Sequence, residues 1–236
     1  MKAFIYSASN TAIVGEVFVG DKLLQKLAEK QITKEQIHQM VEKDFTLLSQ
    51  VLSGVSSSKA DIRYGCANVL MDLSAKYPEK LYPHMEAFVA LLDSKYRILV
   101  WNALAIIANL CAVDGDKKFD ALFDKYYSFL GDPYMVTVAN TVGNSGKIAL
   151  AKPYLIPKIT NELLKVEGIS ATPHLTDECK RVISEQTVET FNLFFDKMNA
   201  EEKAKALKFV KRQLGSSREK LNAKAELFIK KWVNTP

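Results

Sequence analysis

Residues 85–110 read MEAFVALLDSKYRILVWNALAIIANL. An amphipathic segment ends in Leu91-Leu92-Asp93, a short break follows, and Arg97 opens a second segment rich in Ala and Leu. The apolar residues recur at helical spacing in both halves, so the stretch reads as two helices joined by a turn.

The same unit recurs on either side. Asp61-Ile-Arg63-Tyr-Gly-Cys-Ala-Asn68 lies on Lys95-Tyr-Arg97-Ile-Leu-Val-Trp-Asn102 at an offset of 34 residues, and Tyr134-Met-Val-Thr-Val-Ala-Asn140 follows 38 residues further on. The second and third copies are each preceded by an amphipathic helix and a short break, FVALLDSK and YYSFLGDP. A helix pair of this size has apolar surface on both sides, and stacking on neighbours is how that surface leaves water.

Glycine and proline, ten and seven in 236 residues, fall mostly where helical patterns end, as at Gly54, Pro78, Gly115, Gly131 to Pro133, Gly168 and Gly215. Helices are expected near 34–53, 59–77, 79–93, 96–113, 117–131, 134–149, 153–167, 176–197, 200–214 and 217–233. Thr33 with Gln36, Asn199 with Glu202 and Ser216 with Glu219 have the spacing of capping boxes. Strand-like alternation is confined to Ile13 to Val19. The expected class is all-α, a right-handed α-α superhelix of stacked pairs forming one domain over 1–236. Within it, 1–58 is a degenerate repeat or cap, 59–168 holds the clearest repeats, and 169–236 is a last repeat with a basic cap. Residues 11–30 match 138–158 loosely, as a degenerate first copy would.

These residues resemble a HEAT repeat. Asp61 with Arg63, and Asp93 with Arg97, match the Asp and Arg that such repeats carry at the turn; the third copy keeps Asp132 and Pro133 but has Met135 where Arg would stand. Asn109-Leu110 is similar to the armadillo repeat, whose Asn holds a peptide backbone, but Ala75 is its equivalent one repeat earlier. HEAT is therefore preferred and armadillo peptide binding is not carried over. The resemblance implies a solenoid whose surface binds another protein, and it names no substrate.

The formal charge is +5, from 32 Lys and Arg against 27 Asp and Glu. From Asp196 to Pro236 there are eleven basic and five acidic residues, so residues 1–195 carry 21 against 22, and the surplus belongs to the tail. On helical wheels Lys205, Lys208 and Arg212 fall within about 60° of one another, and Lys220, Lys224 and Lys231 within about 40°. These six are the candidate partner-binding residues. The opposite faces, Ala204, Leu207, Val210 and Leu214, then Leu221, Ala225, Phe228 and Trp232, are expected to close the core. The cap lacks the interleaved aromatics that stack on bases.

No apolar run is long enough to span a membrane, and polar residues interrupt the N-terminal stretch too early for a secretory signal. Cys66, Cys111 and Cys179 are odd in number and far apart, as buried thiols of a reducing cytoplasm would be. The histidines 38, 84 and 174 show no metal or triad spacing. Gly143-Asn-Ser-Gly146-Lys147 is too short for a phosphate loop, lacks the Ser or Thr after Lys, and follows a helix rather than a strand; its glycines are expected to let two helices approach or to end one. Trp101 reads as core, and Asn68, Asn102 and Asn140 as a buried hydrogen-bonding ladder. Asp114, Asp116, Asp120 and Asp124 read as helix-start and solvated-face charges. No catalytic residue, cofactor site or metal site is assigned.

The expected function is a non-enzymatic protein-interaction or scaffold module. The alternative is nucleic-acid binding, or repair of the kind performed by HEAT-type alkylpurine DNA glycosylases with a basic face bearing Trp, Asp and Arg. The two tryptophans at core positions and the terminal location of the charge fit that alternative poorly. An enzyme assembled from distant residues is the third reading.

Overall fold

The computed structural model describes residues 17–233, and their helices form two compact units, Met1–Leu73 and Ser74–Pro236. The division falls inside the fourth helix. In the first unit lie α1 (Val17–Ala28), α2 (Lys34–Lys43), α3 (Leu48–Gly54) and most of α4 (Ala60–Lys76). Thr33 caps α2 with the full reciprocal box: its hydroxyl accepts from the Gln36 N–H at 3.2 Å, and the Gln36 side chain accepts from the Thr33 N–H at 2.8 Å. α3 ends at Gly54, where a side chain would overlap the Sγ of buried Cys66. Residues 17–19, the end of the segment given strand-like alternation, open α1 instead; Ile13 to Glu16, like most of the first half of the degenerate copy at 11–30, lie outside the described residues.

The second unit continues with the short α5 (Pro78–Leu81), α6 (Met85–Leu91), α7 (Arg97–Leu110), α8 (Lys118–Ser128), α9 (Met135–Ala151), α10 (Ile156–Leu164), α11 (Asp177–Phe194), α12 (Ala200–Lys211) and α13 (Glu219–Trp232). It is all-α, as the periodicity requires. The long helices α7, α9, α11 and α13 pack on one another in order, while α6, α8, α10 and α12 precede them as the first helix of each pair. Proline at the first turns of α5 and α10 and Gly215 at φ +76° punctuate the chain where apolar periodicity stops.

The core of this unit is aromatic. Phe119 meets Tyr126 edge-on at 5.4 Å, Phe191 meets Phe209 at 5.8 Å, and Phe195 meets Phe228 at 5.0 Å, tying α8 internally, α11 to α12, and the end of α11 to α13. Gly143 and Gly146 lie in the middle of α9, not in a loop. A Cβ on Gly146 would sit 2.5 Å from Leu193 Cδ1 and one on Gly143 3.3 Å from Gln186 Nε2, so the two glycines admit α11 close against α9.

Asn199 makes the expected capping box of α12 with Glu202. Ser216 does not cap α13. That helix begins at Glu219 after Arg218, and the Ser216 hydroxyl accepts from the Arg218 N–H at 3.3 Å. On α12 the buried set is Glu202, Ala206, Phe209 and Val210; Ala204 and Leu214, expected inside, are exposed. Glu202 lies inside with the cap, and the buried stripe is rotated by about 100° from the expected one. Among the described residues no helix is long and apolar enough to cross a membrane.

Candidate interaction face

Polar contacts in the second unit join residues about one repeat apart in sequence. They form three rows across the stacked helices. Along the turns, Arg97 reaches both carboxylate oxygens of Asp132 at 3.1 Å, and its guanidinium lies 3.5 Å from the Tyr134 ring centre. Tyr134 in turn stacks on His174 at 4.5 Å with the planes 9° apart. The Arg of the HEAT-like turn thus grips the Asp of the next copy, which explains why the third copy keeps Asp132 although it lacks its own Arg.

Along the middle of the long helices, the Trp101 indole N–H donates to the Thr137 hydroxyl at 3.0 Å. The Asn109 amide donates to Ser74 at 2.9 Å, and its oxygen accepts from Lys147 Nζ at 2.8 Å. Further on, Trp232 donates to Asn192 at 2.8 Å. Both tryptophans are half-buried rather than core, because each indole N–H needs a partner and finds it on the adjoining long helix. Of the expected asparagine ladder, Asn140 bonds within its own helix: it donates to the Val136 carbonyl at 2.8 Å, and Asn144 donates to the Asn140 carbonyl at 2.9 Å. Asn109 does bond from repeat to repeat, and it reaches Ser74, beside the aligned position Ala75.

At the far ends of the long helices stands a buried ion pair. Asp114 accepts from the backbone N–H groups of Lys118 at 2.8 Å and Phe119 at 3.0 Å, starting α8 from three residues outside it. It also accepts from the Tyr82 hydroxyl at 2.6 Å and pairs with Lys152 at 2.8 Å. The Lys152 ammonium touches Tyr154 at 3.2 Å, and the Tyr154 hydroxyl donates to Asp120 at 2.8 Å. Asp114 is thus a helix-start charge, as expected, but a buried one, and Lys152 is buried with it. Burial opposes the charge on each and is the largest single influence, but the hydrogen bonds together outweigh it: those from Lys152, Tyr82 and the α8 backbone hold the Asp114 carboxyl below its ordinary range, and those to Asp114 and Tyr154 hold the Lys152 ammonium above. Burial, with Asp114 beside it, pushes Tyr82 up to about 12. These groups are locked in their resting charge states, unlike an acid and base poised for proton transfer.

The six basic candidates do not form one open patch. Lys205 pairs with Glu201 at 2.7 Å, Arg212 with Glu167 at 2.6 Å and Lys224 with Glu189 at 2.6 Å. Lys224 and Arg218 also converge on Glu185, with Arg218 at 2.6 Å. Burial disfavours the Glu185 charge, but these two cations hold its carboxyl below the ordinary range. Lys231 reaches Asn192 at 3.2 Å and lies over the Trp232 ring. Lys208 and Lys220 are exposed and make no ion pair among the described residues.

Cys66 and Cys111 are buried, and burial alone raises the Cys66 thiol to about 12, beyond useful nucleophilicity. Cys179 is half-buried at the start of α11, not in the core. Among the described residues no cluster of His, Cys, Asp and Glu could hold a metal ion. A cleft of about 620 Å³ is lined by Tyr127, Leu130, Asp132, Glu162, Ile169 and Leu175. Of its three carboxylates, Asp132 and Glu162 are paired, with Arg97 and Lys165, and Asp124 is exposed.

No protein-family model matches the sequence, and no curated protein is significantly similar to it. Solved structures do match. The designed armadillo repeat protein YIII(Dq.V1)4CPAF, in complex with peptide (KR)4, superposes with a TM-score of 0.62 at 17% identity, covering 92% of this chain and 94% of that one. The designed armadillo repeat protein YIII(Dq)4CqI gives 0.61 at 18% identity over the same shares. Computationally designed armadillo repeat proteins for modular peptide recognition give 0.58 at 18% identity, over 91% and 92%. The chain therefore has an armadillo-like α-helical repeat fold, the solved matches falling on the armadillo side of the sequence resemblance.

Proposed function

We propose that this protein is a non-enzymatic interaction module that holds an extended segment of another protein along the exposed face of α7, α9 and α11. The observation that carries the reading is the middle row: Trp101, Asn109 and Lys147 stand half-buried or exposed on successive long helices, with half-buried Ala105 and Gly143 between them. Small residues between larger polar ones leave a low floor on which a backbone can lie, and the Asn109 amide, held by Ser74 and Lys147, has a second N–H to offer it. The peptide-binding description of the designed armadillo proteins supports the same use of this fold.

The internal pairing of Lys205, Arg212 and Lys224 favours a protein partner over nucleic acid, because cations already matched to carboxylates have less to offer phosphates. Lys205, Lys208, Arg212, Lys220, Lys224 and Lys231 remain candidate outer contacts for a partner, with Lys208 and Lys220 the most available.

Peptide display against the purified chain tests the reading. Selected peptides should lose binding at least tenfold on Ala105→Arg, which raises the floor, and keep it on Lys208→Glu with Lys220→Glu. The reverse pattern would move the site to the cap, and duplex DNA binding with a steep salt dependence would replace the protein reading altogether.

A further inference from the structure

Several cations that reach between repeats in the second unit are matched to carboxylates: Arg97 to Asp132, Lys125 to Asp93, Lys152 to Asp114, Arg212 to Glu167. Lys147 differs from these four. Its ammonium donates to the neutral oxygen of Asn109 at 2.8 Å, and no carboxylate among the described residues pairs with it. Asn109 is fixed from its other side by donating to Ser74 at 2.9 Å, so its oxygen is committed to Lys147 and the ammonium is held in place. An ammonium has three donors, and this one leaves two for a further acceptor. Partial desolvation by its neighbours holds Lys147 below the usual lysine range, as fits a cation short of compensation. Glu189, exposed on the next long helix, is taken by Lys224 at 2.6 Å. Apolar side chains flank the spot: Leu150 is 43% exposed one turn along α9, and Leu193 is 52% exposed where α11 crosses Gly146.

Resting on the groove reading above, we propose that Lys147 is the anchor for a carboxylate of the bound segment, so that the partner offers an Asp or Glu side chain beside an apolar residue. Charge complementarity selects this occupant, since the ammonium brings a positive charge with no carboxylate partner among the described residues to a face flanked by exposed Leu150 and Leu193. Adjacent long helices pack about 8–10 Å apart. An extended strand rising about 3.3 Å per residue then crosses α7, α9 and α11 in about six residues, which places one acidic side chain over Lys147 and apolar ones beside it.

The probe is a set of fluorescent peptides, Ser-Leu-Ser-Xaa-Leu-Ser, identical except for Glu, Gln or Lys at Xaa, measured by anisotropy. The Glu peptide should bind about fivefold tighter than the Gln peptide, the size of a partly exposed ion pair. Lys147→Gln should erase that preference, and Lys147→Glu should reverse it in favour of the Lys peptide, with helicity unchanged because the side chain's tip is exposed. Binding of all three peptides with equal affinity overturns this inference and leaves the groove reading standing. Binding of none of them, together with none from display, removes both.

Discussion

Asp114 and Glu185 do the same chemistry in different surroundings. Each carboxylate gathers partners from other repeats: Asp114 takes Tyr82 and Lys152, Glu185 takes Arg218 and Lys224. The Asp114 and Lys152 side chains are 0% and 4% exposed, whereas Arg218 and Lys224 are 24% and 32% exposed around Glu185. If one member of the first pair is removed, the survivor is a charge with no water to turn to. If one member of the second is removed, solvent can reach what is left. The contrast separates an ion pair the fold cannot lose from one it can.

The largest expected effect follows directly. Asp114→Ala should cost about 3–5 kcal/mol, read from urea unfolding, because it leaves buried Lys152 only the longer contact with Asp120 at 3.6 Å and uncaps α8. The pair Asp114→Asn with Lys152→Met should recover much of that loss; a double variant as unstable as Asp114→Ala would show that the stranded charge is not the source. The same distinction applies to packing. Gly54→Ala meets buried Cys66 and should cost about 1–3 kcal/mol, while Gly146→Ala meets the exposed end of Leu193, which can swing away, and should stay within about 1 kcal/mol of the parent. Equal costs would mean that Leu193 is pinned. Glu185→Gln should cost about 1–2 kcal/mol, less than the Asp114 change, and an equal loss would erase the contrast between the two sites.

Titration sharpens the comparison further. Asp114 and Glu185 both have folded-state values below their ordinary ones, so the stability they give is complete above the ordinary carboxylate range and is lost as pH falls through the lower folded values. Lys152 is raised, so its share is complete below the ordinary lysine value and is lost only as pH rises past it. Urea midpoints should therefore fall below about pH 4, with the slope in Asp114→Asn shallower by about one proton. An unchanged slope would mean that Asp114 titrates alike folded and unfolded. Trp101→Phe should cost about 1 kcal/mol for the lost Thr137 hydrogen bond, read from the same urea midpoints.

The fold was legible because helical periodicity, turn residues and a repeat of 34–38 residues all pointed to stacked pairs. The pairings were not read, although the same offset contains them. Adding about one repeat to Arg97 gives Asp132, to Trp101 gives Thr137, to Asn109 gives Lys147 and to Asp114 gives Lys152. Apolar spacing says which side of a helix is buried but not which polar atom crosses to the neighbour, since that depends on how far each helix is rotated and slid along its partner. The cap of α12 shows the same gap. Its wheel gives an apolar stripe through Ala204, whereas the buried set runs through Ala206 and Phe209 with Glu202 of the reciprocal box among it. Lys147 was visible only as a failed phosphate loop, and its meaning came from its missing carboxylate.

Because the ties run from one repeat to the next, this chain resists modular editing. Excising a single helix pair would bring together edges cut for different neighbours: without α8 and α9, Arg97, Trp101 and Asn109 would face α11, which carries no Asp132, Thr137 or Lys147. A grafted repeat would therefore have to match the donors of one flank and the acceptors of the other, as a key is cut on both edges.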